Sequence, residues 1–303
     1  MAILTGARNP GRAPSDRDRM KRRTRERTAA VAIALAALGA GCGSTVPLPP
    51  KAIELNALGA RAIAEGRLSV AEARLSVALE YSPRFVEAWV NLGYVELARG
   101  NFEQARRDFL KARDLNPDMP TPHHGLGVLA DERGRGDEAE RAYRAALQVD
   151  PGFAPARANL ARRLFARGQY ENAREQFERL VEVAPDTVEG WVGEAETLRQ
   201  LDRGAEADGV VARAVDRFGL EPPLRLLVAR RAVERGEWDD AEALLAPLVG
   251  GADRGRACAA WSWIAVARLG RGDREGASDA ARAALALHAD DAVARYALER
   301  IRR

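Results

Sequence analysis

Apolar positions along this chain recur on a 34-residue step. Ala71, Ala105, Ala139, Ala173, Ala207 and Ala241 stand 34 residues apart, and Ala277 follows after 36. Numbering each unit so that this alanine is position 20 brings the other apolar positions into line. Leu58, Leu92, Leu126 and Leu160 fall at position 7, and Gly59, Gly93, Gly127 and Ala161 at position 8. Leu75, Phe109, Tyr143 and Phe177 occupy position 24, Ala78, Ala112 and Ala146 position 27, and Trp89, Trp191 and Trp261 position 4. Gly66, Gly100, Gly134 and Gly168 mark position 15, and Pro83, Pro117, Pro151 and Pro185 position 32. A period of this length predicts one helical hairpin per unit, stacked as a solenoid. Glycine at 15 ends the first helix because it enters the left-handed region without a Cβ penalty. Proline at 32 cannot continue the second helix. Small residues at 8 and 20 let the two helices approach, and large ones at 4, 7, 17 and 24 fill the space beside them.

These residues resemble the tetratricopeptide repeat signature, W-x2-L-G-x2-Y followed by A-x3-F and then P. The resemblance covers roughly residues 52–290. It implies an all-α, right-handed solenoid of about seven helix–turn–helix repeats, closed by a capping helix at 291–303. Repeats one to four, about 52–187, hold the pattern closely. Repeat five keeps Trp191, Ala207 and Ala214 but has Glu194 at position 7 and Gly219 where proline is expected. Repeat six keeps Gly236, Trp238 and Ala241 but has Arg225 at position 4. Repeat seven recovers Trp261, Gly272, Ala277 and Ala284 after a two-residue insertion around Gly250–Gly255. In the last stretch Val293, Tyr296, Ala297 and Ile301 alternate with polar residues, as a helix shielding a terminal hydrophobic face would require.

The front of the chain follows a different logic. Residues 1–28 carry nine basic and three acidic side chains, and residues 29–41 contain only Ala, Val, Ile, Leu and Gly. Thirteen apolar residues are too few for a spanning helix, which needs about 20. The arrangement is that of a secretory signal over residues 1–41. A start at Met20 gives a basic region of more typical length, which makes residues 1–19 a misassigned extension. The run ends in Leu38-Gly39-Ala40-Gly41-Cys42-Gly43-Ser44, which resembles a bacterial lipobox. By that resemblance Cys42 is acylated and becomes the mature N-terminus, although Gly39 stands where the pattern usually has Leu. The alternative is an ordinary signal peptide with an incidental cysteine. Residues 42–51 then form a short linker with three prolines, holding the first repeat within about 25 Å of the bilayer at roughly 3.1 Å per residue.

Removing this leader changes the charge picture. The whole chain carries +3, but residues 1–28 alone carry +6, so the remainder is about −3. No general basic field attracts nucleic acid, and no nucleic-acid-binding motif is present. Arginines interleave with acids, as in Arg106-Arg107-Asp108, and read as a solvated exterior. Cys258, the other cysteine, reads as a small buried residue near a helix N-terminus.

Catalytic chemistry is not in evidence. His123 and His124 diverge on a helix by about 100° and cannot share a metal. His123 falls at the aromatic position 4, and His124 is expected to point into the groove. The sequence offers no zinc or calcium ligand spacing, P-loop, dinucleotide fingerprint or nucleophile elbow. Gly134-Arg-Gly136 and Gly270-Arg-Gly272 read as helix–helix turns. The expectation is a non-enzyme without cofactor, metal or small-molecule substrate.

The resemblance implies instead a concave groove lined by the first helix of each repeat, at positions 2, 5, 9, 12 and 13. In repeats one to three these map to Asn56, Ala60, Ile63, Glu87, Val90, Tyr94, Leu97, His124, Val128 and Asp131. In repeats four to six they map to Arg162, Phe165, Glu189, Glu196, Arg199 and Arg230. The groove is expected to be apolar and aromatic at its N-terminal half and charged beyond. Such a surface suits an extended segment or helix of another protein. The Lys and Asn set with which chaperone-binding relatives clamp a terminal carboxylate is missing.

Together these features imply a cell-envelope lipoprotein, anchored in a lipid bilayer through Cys42 and facing the periplasm, on the outer membrane. It would act as a protein-interaction scaffold or adaptor. Resembling lipoproteins serve pilus assembly and secretin targeting, or organise peptidoglycan enzymes. The alternatives are a soluble secreted repeat protein and a non-catalytic subunit of an envelope polysaccharide or peptidoglycan enzyme complex.

Overall fold

A computed structural model describes residues 47–302 of the chain. The predicted leader, the Met20 start, Cys42 and the linker up to residue 46 lie outside the described residues. The described chain is built from fifteen α-helices. In order they are α1 (Pro50–Ala64), α2 (Leu68–Tyr81), α3 (Val86–Arg99), α4 (Phe102–Leu115), α5 (Pro120–Glu132), α6 (Gly136–Val149), α7 (Ala154–Ala166) and α8 (Tyr170–Val183). There follow α9 (Val188–Gln200), α10 (Gly204–Phe218), α11 (Pro222–Arg235), α12 (Trp238–Leu245), α13 (Arg254–Arg271), α14 (Arg274–Leu287) and α15 (Ala292–Arg302). Helices α1 to α14 alternate as the first and second helices of seven sequence repeats, and α15 stands last. The linker ends earlier than expected: the chain is helical from Pro50, and Leu48 already packs on the cluster of Ala52 and Leu55.

The chain divides into two compact units between Ala156 and Arg157. Within the first, α1 and α2, α3 and α4, and α5 and α6 pair as hairpins, and the first helices α1, α3 and α5 also touch in succession. Within the second, α9 and α10, α12 and α11, and α13 and α14 pair likewise, with α9, α11, α13 and α15 in succession. This double set of contacts is that of a tetratricopeptide stack.

Small-against-large packing sets the hairpin distance. A Cβ on Gly93 would lie 2.5 Å from the Phe109 ring, and one on Gly59 would lie 2.7 Å from Leu75. Phe109 also meets Gly125, at position 6 of the following repeat, so position 24 is sandwiched between glycines of two successive first helices. Phe177 meets Gly193 in the same way. The key alanines at position 20 are fully buried in all seven repeats.

At position 15 the backbone is left-handed in every repeat, with glycine in six of the seven. Repeat five has Asp202 there, at φ 58°, the one non-glycine with positive φ among the described residues. The Arg203 amide still reaches the Leu198 carbonyl at 2.9 Å, as the Asn101 amide reaches Glu96 at 2.8 Å beyond Gly100. The stack thus holds the geometry after the residue suited to it has gone.

Irregularity begins at Pro247 rather than at the predicted Gly250. Helix α12 stops at Leu245 and a single 3-10 turn, Ala246–Leu248, takes over, because proline inside a helix removes an amide donor and clashes with the preceding turn. Helix α13 is correspondingly long at 18 residues, and Asp253 caps it by accepting from the Arg256 amide. Its Cys258 is buried, directing Sγ at the Ala284 carbonyl at 3.5 Å and at the Asp291 carboxylate at 3.6 Å. In α15 the wholly buried residues are Ala294 and Ala297, while Val293, Tyr296 and Ile301 are half-buried. No helix among the described residues is long and apolar enough to cross a membrane.

Candidate functional site

The predicted groove residues fall in both units. In the first unit they are mostly covered. Val90, Tyr94 and Leu97 belong to the core cluster with Ala105, Phe109, Ala112 and Leu129, each no more than 5% exposed. Ala60 and Ile63 are buried as well. The expected apolar trough is therefore corrected: these side chains face the groove side of their helices, but neighbouring helices close over them. His124 is the clearest case. It was expected to point into the groove, and instead it is buried, its Nδ1 2.8 Å from the Tyr94 hydroxyl. Its ring lies 5.8 Å from that of Tyr143 and 5.7 Å from that of Phe153. Burial raises the Tyr94 pKa, so this hydroxyl stays protonated. Asp131 accepts the Tyr143 hydroxyl at 2.7 Å, and Asn56 accepts from the Asn91 amide at 2.8 Å. Val128 is half-buried against the same cluster. Nothing in this set converges on an open pocket.

His123 has the role its position predicts. Trp89 Nε1 donates to the Pro83 carbonyl at 2.9 Å and Trp191 Nε1 to Pro185 at 3.1 Å, tying position 4 to the proline that ends the preceding repeat. The His123 ring bonds the Pro117 carbonyl in the same manner, and burial lowers its pKa, with that bond opposing. The histidine is a substitute for tryptophan.

In the second unit the groove side is charged and more open. Arg162 pairs with Glu189 at 3.1 Å, with the arginine side chain more than half exposed. Phe165 is half-buried, its ring edge-on to Tyr170 with centroids 5.4 Å apart. Glu196 is half-buried. Arg199 differs from all of these, since its side chain is only 8% exposed. Its nearest carboxylates are Glu234 at 3.9 Å and Asp208 at 4.0 Å, beyond hydrogen-bonding distance, and Nη1 has no hydrogen-bond partner. Burial lowers its pKa and Glu234 only partly offsets this. Arg230 lies beside it, 3.4 Å from Glu234 and stacked 5.4 Å over the Trp263 ring. The periodic pattern singled out Arg199 and Arg230 by position, but not Asp208, Glu234, Trp263, Arg231 or Arg235, which belong to the same cluster. Glu234 stands at groove position 13 and was legible on the same rule.

Residues 56–120 and 132–196 each match a tetratricopeptide repeat family model. No curated protein matches the chain. Among solved structures, a tetratricopeptide repeat protein from Parabacteroides merdae is similar with a TM-score of 0.58 and 17% identity, covering 84% of this chain and all of that one. PilF of Pseudomonas aeruginosa is similar with a TM-score of 0.59 and 20% identity, over 71% of this chain and 97% of that one. The Cut9–Hcn1 hetero-tetramer of the APC/C gives 0.54 at 15% identity, over 84% of this chain and 43% of that one. At these identities the likeness concerns the fold. The 34-residue signature, the matching segments and the hairpin stack agree: residues 56–120 and 132–196 are tetratricopeptide repeats, in a chain with the tetratricopeptide fold.

Proposed function

We propose that this protein is a cell-envelope scaffold, tethered to a membrane through an acylated Cys42, that holds segments of partner proteins during assembly of an envelope machine. The observation that carries the scaffold part is that hairpins run from Pro50 to Leu287 with connections of two to four residues, save the eight residues 246–253 that include the 3-10 turn. A chain spent this way presents helix faces to its surroundings rather than a cleft built from long loops. Protein binding is the general use of such faces in this family.

The membrane part rests on the Cys42 motif and is supported by the first hairpin. Ile53, Val70 and Val77 stand exposed at positions 2, 19 and 26. The second repeat places Glu87, Gln104 and Lys111 at those same positions. Tyr81 is 53% exposed on the same hairpin. The repeat that follows the linker is thus the one with apolar side chains where its neighbour is polar, as suits a location next to a bilayer or a partner held there. Pilus or secretin assembly is the machine that the lipoprotein resemblance favours, and the likeness to PilF adds a shared fold to that analogy.

The test is a Cys42→Ser variant followed by acyl labelling and detergent phase partitioning, with crosslinking capture of partners in the native envelope. Loss of label, accumulation of precursor and transfer to the aqueous phase are expected. Unchanged processing and partitioning of the variant would end the lipoprotein reading.

A further inference from the structure

We propose that the second unit carries a binding site for a carboxylate of an acidic protein segment, centred on Arg199 and Arg230. This deepens the scaffold reading and rests on it. Four guanidinium groups gather here. Arg231 lies 2.6 Å from Asp208 and 3.2 Å from Glu234, and Arg235 lies 3.6 Å from Asp208. Arg199 lies near both acids and Arg230 beside Glu234. Four cations meet two anions, so the cluster holds a positive excess of two.

One of the four, Arg199, sits where little water reaches it, while Arg230, Arg231 and Arg235 are a third to a half exposed. The Arg199 side chain is 8% exposed, with Nη1 unpartnered, and the Nε atoms of Arg230 and Arg231 also lack hydrogen-bond partners. Arg268, at the end of the next first helix, is satisfied by contrast: its Nε reaches Glu242 at 2.8 Å, and the same side chain donates to the Gly276 carbonyl at 3.2 Å. A guanidinium left short of acceptors in a dry position is stabilised by an incoming anion that supplies two oxygens in one plane, the geometry a carboxylate offers. Arg199 and Arg230 occupy groove positions 12 and 9 of successive first helices, so an extended segment crossing α9 and α11 meets both. The Trp263 face beneath Arg230 fixes that guanidinium in place and adds apolar area for the segment's neighbouring side chain.

The experiment uses the full chain in detergent and titrates acetylated tetraglutamate by calorimetry, with tetraglutamine and inorganic phosphate as controls. Saturable binding of tetraglutamate, weakening with added salt, is expected. Arg199→Gln and Arg230→Gln should each weaken it about 10-fold or more, while Arg61→Gln, in the first unit, should leave it unchanged. A second reading uses the free protein. Arg199→Leu removes an uncompensated buried charge and is expected to raise the melting temperature while abolishing peptide binding, whereas an arginine kept for structure would lower it. The proposal is overturned if Arg199→Gln binds as tightly as the parent, if tetraglutamine binds equally, or if phosphate binds and the peptide does not. It is also overturned if tetraglutamate gives no saturable heat at millimolar concentration, or if Arg199→Leu melts lower. If the envelope crosslinking captures the same partner with parent and Arg199→Leu alike, this inference fails and the scaffold reading stands. If neither captures a partner, the scaffold reading fails and the calorimetry still decides the carboxylate site.

Discussion

Asp108 is a buried carboxyl that the stack tolerates at a cost, and its replacement by asparagine tests how that cost arises. It sits on α4, 3% exposed, and accepts the Gln104 amide at 2.7 Å. Burial pushes its pKa up to about 6; the bond from Gln104 opposes this, and repulsion from the buried Glu96 adds to it. In an unfolded chain the same carboxyl ionises near pH 3.9. Below that pH both states hold the proton and no charge is buried. Between about 4 and 6 the unfolded chain releases its proton first, so the stability contributed by this site falls as pH rises. Above about 6 the whole difference is in place, roughly 2–3 kcal/mol against the folded state. Asp108→Asn keeps an oxygen for Gln104 and removes the charge. It should stabilise the second repeat by about 2 kcal/mol at pH 7.5 and have almost no effect at pH 4. Repeat arrays open locally, so the assay is amide hydrogen exchange of peptides from residues 86–132. Exchange there should slow about 30-fold at pH 7.5, the factor that corresponds to 2 kcal/mol, and by little at pH 4 after correction for intrinsic rates. A gain equal at both pH values, or a loss at pH 7.5, would refute the account.

Other substitutions probe the repeat itself. Asp202→Gly restores the residue that six repeats have at the left-handed position and should raise stability by up to about 1 kcal/mol in thermal melts, whereas Asp202→Ala should not. Ala173→Leu should overpack the hairpin of α7 and α8 at a cost of roughly 1–3 kcal/mol, while Glu171→Leu, on the exposed face, should be nearly neutral; equal effects would place the register elsewhere. Gly93→Ala drives a Cβ into the Phe109 ring and should cost about 1–3 kcal/mol, with Phe109→Leu recovering part of the loss in a double-mutant cycle. Glu194→Leu returns an apolar residue to position 7 in place of a carboxyl whose pKa burial raises and Arg213 only partly lowers. It should stabilise the unit by about 1–3 kcal/mol at neutral pH, read from urea midpoints.

The fold was legible because its rules are local and repeated. A glycine at position 8 faces position 24 of its own hairpin, so the Gly93 and Phe109 contact can be inferred from one repeat and checked on the next. Asp202 shows where residue preference yields to that periodicity: flanking helices hold the turn, so the missing glycine left the backbone unchanged. The groove was less legible because a position fixes only the direction of a side chain. Tyr94 faces the side that the pattern assigns to it, yet His124 of the following repeat covers it, and coverage depends on which residue the neighbour happens to carry. Charge is harder still to read, because an arginine's role depends on how its partners are spaced in three dimensions. Arg271 and Arg199 both end first helices amid acidic neighbours in sequence. Arg271 is 40% exposed and lies 3.1 Å from Glu242, so its charge is solvated and matched. Arg199 has its carboxylates at 3.9 and 4.0 Å and little water. A displacement of about 1 Å, far below what periodicity specifies, separates a surface ion pair from a buried cation that still lacks an acceptor.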